Sequence, residues 1–148
     1  MTNSPDVDVE TTVPDHMEVI ETVIASLDQD ESAMVSHTDG GHVWKFCYGS
    51  VEVFVQLTGN TDTDTLTVWS PVLTLPATEE TKLMHHLLEM NCGETLEACF
   101  GISGDQVLVL ASRILEDISP AEISRLITIV ATIADDNDDA LKAEFGAA

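Results

Sequence analysis

Between Thr78 and Asp135 the chain reads helix, strand, turn, strand, helix, and that order leaves it little freedom. The apolar runs Leu96–Ile102 and Gln106–Ser112 flank Ser103-Gly104-Asp105, so they should pair as an antiparallel hairpin. Ahead of them, Thr78 is placed to cap a helix, Glu79 and Glu80 suit its positive end, and Gly93 can close it. Leu83, Met84, Leu87 and Leu88 form its apolar face. Behind them, Ser119-Pro120-Ala121-Glu122 is a capping box with proline at the first helical position, opening a helix expected to run to Ala134. A hairpin bracketed by two amphipathic helices must bury one sheet face under them.

The preceding half extends the same sheet. A helix begins near Pro14, with Met17, Ile20, Ile24 and Leu27 on one face and Val19 and Val23 widening it. Ala33–His37 is a weak strand ended by Asp39-Gly40-Gly41. Val43–Tyr48 places Trp44, Phe46 and Tyr48 on one side, and Val51–Leu57 alternates valines with Glu52, Phe54 and Gln56. Gly49-Ser50 joins these two as a glycine-first hairpin loop. Thr65–Leu75 is a further strand, in which Pro71 requires an edge, a bulge or an end. The expected class is α+β, an antiparallel sheet with helices packed on one face, reading as a helix, three or four strands and then α-β-β-α (α-β-β-β-α-β-β-α at the lower count). Residues 1–13, rich in Asp, Glu, Thr and Pro, read as a flexible acidic tail ahead of one domain over 14–148.

Charge narrows the function. Twenty-seven acidic residues stand against five basic ones, a formal balance of −22. Phosphate backbones and anionic lipid both need Lys and Arg clusters, so neither nucleic acid nor a membrane surface is an expected partner. The acidity fits a solvated surface of the salt-adapted kind or a face matched to a basic partner. Cys47, Cys92 and Cys99 lack CxxC spacing and read as reduced, buried, inert thiols. With no export signal and no apolar run near ~20 residues, a cytoplasmic location is expected.

Chemical motifs are sparse. His85 and Glu89 lie four apart on a helix and could share a metal ion, with His86 beside them, but no spaced third ligand follows. Counted from Asp135 as a calcium loop, Asn137 and Asp139 fit the third and fifth positions. Ala140 then stands where glycine is needed and Gly146 where the bidentate Glu belongs. Asp135–Asp139 therefore reads as a solvated helix terminus. No nucleophile elbow, P-loop or dinucleotide fingerprint is present, so no catalytic residue or cofactor is assigned and an enzyme is not expected. The last helix carries Ile123, Leu126, Ile127, Ile129, Val130 and Ile133 around most of its circumference. One side should meet the sheet, and the other either a second helix or a second subunit; these six are the candidate interface residues.

Four stretches together resemble a known family: VWKFCYGSVEVFVQLTG (43–59), LTVWSPVLTLP (66–76), KLMHHLLEMNCGETLEACFGI (82–102) and LEDISPAEISRLITIVATIADDNDDALKAEFG (115–146). The chain resembles a cyanobacterial member of the YbjN-like family, over about Met17 to Phe145. That resemblance implies a type III secretion chaperone-like fold, often dimeric, without catalytic residues, in proteins described as sensory-transduction regulators. It carries no functional residue across, because sites and not folds hold function. The resulting expectation is a non-enzymatic protein-binding or regulatory module acting as a homodimer. The alternative is a metal- or ligand-responsive sensor using His85, His86 and Glu89 or the Asp135–Asp139 run.

Overall fold

Alternation at period two becomes a six-stranded antiparallel sheet, with three helices, in a computed structural model that describes residues 15–38 and 41–147. The tail expected over 1–13 lies outside the described residues. The elements are α1 (His16–Leu27), β1 (Met34–Thr38), β2 (Gly41–Tyr48), β3 (Val51–Leu57), β4 (Thr65–Thr74), α2 (Glu80–Gly93), β5 (Cys99–Ser103), β6 (Gln106–Ile114) and α3 (Pro120–Phe145). Spatially the strands run β1-β2-β3-β4-β6-β5, every pair antiparallel. The α+β class stands, with four strands ahead of α2, the higher of the two counts expected; the weak Ala33–His37 run supplies the first, shifted by one residue.

Residues directly opposed in a ladder share a face. Trp44 opposes Val55, Val55 opposes Val68, and Val68 opposes Ala111. All four are buried beneath the helices. Gly49 takes the positive φ, +57°, that a glycine-first loop requires. Pro71 sits in β4, an interior strand between β3 and β6, and is accommodated by a register shift between Pro71 and Leu73. The bulge spares the ladder the amide that proline lacks.

The capping box forms as expected: the Glu122 amide donates to Ser119 Oγ at 3.1 Å and the Ser119 amide to Glu122 Oε1 at 2.9 Å. From there α3 departs from expectation and runs 26 residues, straight through Asp135–Asp139. The reason is packing. Ala134, Asp138, Leu141 and Phe145 continue its buried stripe at helical spacing, so stopping at Ala134 would strand two large apolar side chains.

Other boundaries moved for local reasons. Thr78 does not cap α2: its amide donates to the Phe145 carbonyl at 2.8 Å, and Glu79, in the left-handed region at φ +49°, precedes the helix instead. Leu88 leaves the expected apolar face and is exposed, while Met90 is buried in its place. Leu96 turns with φ +55° and is exposed, so β5 begins three residues later than the apolar run predicted.

Candidate functional site

The six candidate interface positions on α3 need correcting first. Ile123, Leu126, Ile127, Ile129, Val130 and Ile133 are all buried within the chain itself. α3 lies across β4, β6 and β3 with α1 packed alongside, so both apolar sides of the helix are met by its own subunit. The apolar circumference therefore requires no second copy.

Asp135–Asp139 is not a solvated terminus either. Asp138 is fully buried, and Ser50, in the β2–β3 turn, lies with its Oγ 2.8 and 2.9 Å from the two Asp138 oxygens. Asp135 Oδ1 accepts the Ser50 amide at 2.9 Å and lies 3.1 Å from the same hydroxyl. Lys142 reaches Asp138 at 3.3 Å from one helical turn on. A single hydroxyl proton is thus shared among three carboxylate oxygens, and the two aspartates clamp a hairpin turn onto the helix. Asp136 and Asp139 point to solvent.

On α2, His85 Nδ1 stands 3.4 Å from Glu89 Oε1, both side chains exposed, while the His86 ring lies 6.2 Å from that of Phe145. Among the described residues no three His, Cys, Asp or Glu side chains come together as a metal-ion site. The cysteines correct a further expectation: Cys92 and Cys99 are exposed and only Cys47 is half-buried, all three free.

Each of the five basic side chains is committed to a carboxylate. Lys45 pairs with Glu52, Lys82 with Glu144, Arg113 with Glu122, Arg125 with Glu97 and Lys142 with Asp138. The Arg125 fork holds Glu97 below the ordinary carboxylate range, and the Ser119 amide, with Arg113 beside it, does the same for Glu122. Every Lys and Arg among the described residues thus lies beside a carboxylate.

Two surfaces among the described residues place apolar side chains beside fixed charge. The first is the sheet face opposite the helices. On it Lys45 opposes Phe54, Phe54 opposes Trp69, and Trp69 opposes Leu110. The Phe54 and Trp69 rings stack at 5.2 Å, and beside them Pro71 opposes Leu108. The charged side chains at its centre, Lys45 and Glu52, neutralise each other at 3.7 Å. The signal was present in the sequence: Phe54 and Trp69 occupy the alternate positions where a solvated face would carry polar residues.

The second surface is a groove of about 570 Å³ between α1 and β1. Ile24, Val35 and Trp44 line it on the helix side, Met34 lines it where β1 begins, and Glu21, Asp28 and Glu31 are its acidic residues. Sequence reasoning could not find it, because it joins residues from separate elements.

With this geometry in place, one comparison is informative. The YbjN family model, described as “Putative bacterial sensory transduction regulator”, matches residues 16–143. No curated protein matches the chain.

Proposed function

The chain belongs to the YbjN family, and from that premise we propose that it is a non-enzymatic regulatory protein that works by binding other proteins, first of all a second copy of itself. The observation that carries this reading is the open sheet face. Six strands about 4.8 Å apart and several residues long give a face on the order of 700 Å². A stable interface needs about 800 Å² per partner, so the sheet alone comes close to supplying one side.

Charge selects the occupant. Two chains of net charge −22 repel wherever their acidic surfaces meet. The open face is where that repulsion is weakest, because Lys45 and Glu52 cancel within it and its centre is the half-buried Phe54, Trp69 and Leu110. Across a two-fold axis each Lys45 can also meet the other copy's Glu52, which makes the patch complementary to itself. Aromatic pairs with apolar neighbours are the kind of anchor that dominates interfaces.

Sedimentation velocity over a wide concentration range tests the proposal. The expected mass is twice the 16.0 kDa of the chain, and the double variant Phe54→Lys, Trp69→Lys should sediment as a folded monomer with unchanged circular dichroism. A wild-type protein that stays monomeric throughout, or a dimer indifferent to both substitutions, overturns the assignment of this face.

A further inference from the structure

The groove between α1 and β1 differs from the open face in one chemical respect: its charge is all of one sign. Of the residues that line it, Glu21, Asp28 and Glu31 are acidic and none is Lys, Arg or His. Two of these carboxylates are fixed in place. Glu21 Oε2 accepts the Trp44 indole N–H at 3.1 Å, and Asp28 accepts the Ser32 hydroxyl and the Ala33 amide, each at 2.8 Å. Partial desolvation of Asp28 would raise its pKa, and these hydrogen bonds outweigh it to hold the carboxyl below its ordinary value. Glu21 and Asp28 are therefore pre-positioned on the rim, and no Lys or Arg among the described residues answers it.

The groove's accessible apolar surface is Met34, 64% exposed, and Val35, 43% exposed, over the buried Ile24 and Trp44. The backbone adds a third feature. β1 is an edge strand that pairs with β2 alone among the described residues. At the other edge of the sheet β5 is closed off, because the Asn91 side chain accepts the Phe100 amide at 2.7 Å and donates to the Phe100 carbonyl at 3.2 Å. One edge is capped by a side chain that mimics a neighbouring strand; the other offers its backbone beside an apolar, acid-rimmed groove. Unpaired edges of this kind accept an added strand, with main-chain hydrogen bonds for affinity and pockets for selectivity.

We propose that this groove binds an extended segment of a partner protein in which Lys or Arg flanks apolar side chains, added as a strand along β1. The proposal rests on the reading of the chain as a protein-binding regulator and names the chemistry of what it binds. Apolar side chains of the segment enter over Ile24, Val35 and Trp44, while the basic ones reach Glu21, Asp28 and Glu31. The chain's own residues 1–14 carry Asp6, Asp8 and Glu10 with no Lys or Arg, so their charge has the wrong sign for this rim. A second copy, at −22, is disfavoured for the same reason.

The test uses a fluorescein-labelled peptide of alternating valine and lysine, with a glutamate-for-lysine counterpart, read by anisotropy against the full chain. Two variants separate the groove from general acidity. One neutralises the rim (Glu21→Gln, Asp28→Asn, Glu31→Gln); the other removes the same charge elsewhere (Glu94→Gln, Glu116→Gln, Asp139→Asn). Wild type and the second variant should bind the lysine peptide alike, and the rim variant at least tenfold more weakly. Hydrogen exchange should show the outward-facing amides of Met34–Thr38, those not bonded to β2, protected only when peptide is added. Equal loss in both variants, no binding by wild type, or full protection of those amides in the free chain each overturns the proposal; the last outcome assigns the edge to the chain itself or to a second copy. Sedimentation of the same samples keeps the two proposals apart. A groove that fails in a protein of doubled mass leaves the dimer standing, and a monomer that binds the peptide removes the dimer and keeps the groove.

Discussion

Replacing Ser50 with alanine should cost this fold more than its position in a surface turn implies. Among the described residues the Ser50 hydroxyl is the only uncharged donor to Asp138, whose side chain is fully buried. Without it, the carboxylate keeps Lys142 at 3.3 Å, through a lysine side chain that is itself 54% exposed. An unsatisfied buried acceptor costs ~1–3 kcal/mol and a charged one more, while breaking a buried ion pair outright costs ~3–5 kcal/mol. With Lys142 remaining, about 2–3 kcal/mol is the expected loss, on the order of 5–10 °C in Tm for a chain of this size. Asp138→Asn keeps an acceptor for Ser50 and removes the buried charge, so its cost should be about 1 kcal/mol or less. The two changes should not add: in the Asp138→Asn background the serine-to-alanine step should cost at least ~1 kcal/mol less, since neutral groups tolerate a missing partner better. Urea unfolding followed by tryptophan fluorescence at one fixed protein concentration measures all four corners of the cycle. A cost for Ser50→Ala under about 0.5 kcal/mol, or additivity within the same margin, would refute the view that one hydroxyl holds the turn to the helix.

Further outcomes follow from the same geometry. Phe145→Ala should destabilise by about 3–5 kcal/mol in urea, because Phe145 is 1% exposed at the end of α3; a negligible effect would mean the helix ends before it. Ellman's reagent should find two fast thiols in the native chain, Cys92 and Cys99, with Cys47 slower and all three equal in denaturant; a single fast thiol would contradict the placement of β5. The Thr61 amide, the Thr61 hydroxyl and the Thr58 hydroxyl hold Asp64 below its usual 3.8. A carboxyl lowered on folding stabilises above its unfolded pKa and loses that contribution as pH falls through its native value. The stability gap between wild type and Asp64→Asn should therefore be constant above about pH 5 and close progressively below 3.8, and a gap indifferent to pH would exclude those bonds. Zinc titrated into the wild type and into His85→Ala should give the same heats, since the His85–Glu89 pair gains no third ligand among the described residues; a saturating site lost in the variant would reverse this.

The elements whose causes are local were legible in the sequence. Gly49-Ser50 supplies its own turn conformation, Ser119 and Glu122 satisfy each other within four residues, and Pro71 can sit in a strand only with a bulge. Where the sequence misled, the deciding partner was distant. Asp135–Asp139 reads as a terminus until Ser50, 85 and 88 residues away in sequence, is brought against Asp135 and Asp138. Thr78 looks like a cap until its amide is spent on Phe145. Leu88 and Leu96 fit apolar patterns, yet both are exposed, Leu96 at a left-handed turn. The surfaces offered to partners were half legible. Phe54 and Trp69 mark one face by standing where polar residues belong, while the groove beside β1 joins side chains of separate elements, α1, β1 and β2.

The sorting of charge over these surfaces decides whether both can serve at once. A chain this acidic can meet a copy of itself only where its carboxylates are answered, and the Lys45–Glu52 pair does so on the face opposite the helices. Apart from Met34, which opposes Lys45 and so shares the sheet face, the groove lies on the helix side, between α1 and β1, where Glu21, Asp28 and Glu31 have no such answer. A second copy is thus favoured on one face and resisted on the other, so self-association through the sheet leaves the groove free. Two such grooves in one dimer would bind a partner carrying repeated basic segments with an effective concentration set by the spacing between them, and without any further contact. Moving Lys45 or Glu52 out of register would weaken the dimer and the tight binding of such a partner together, while leaving the single groove's affinity unchanged.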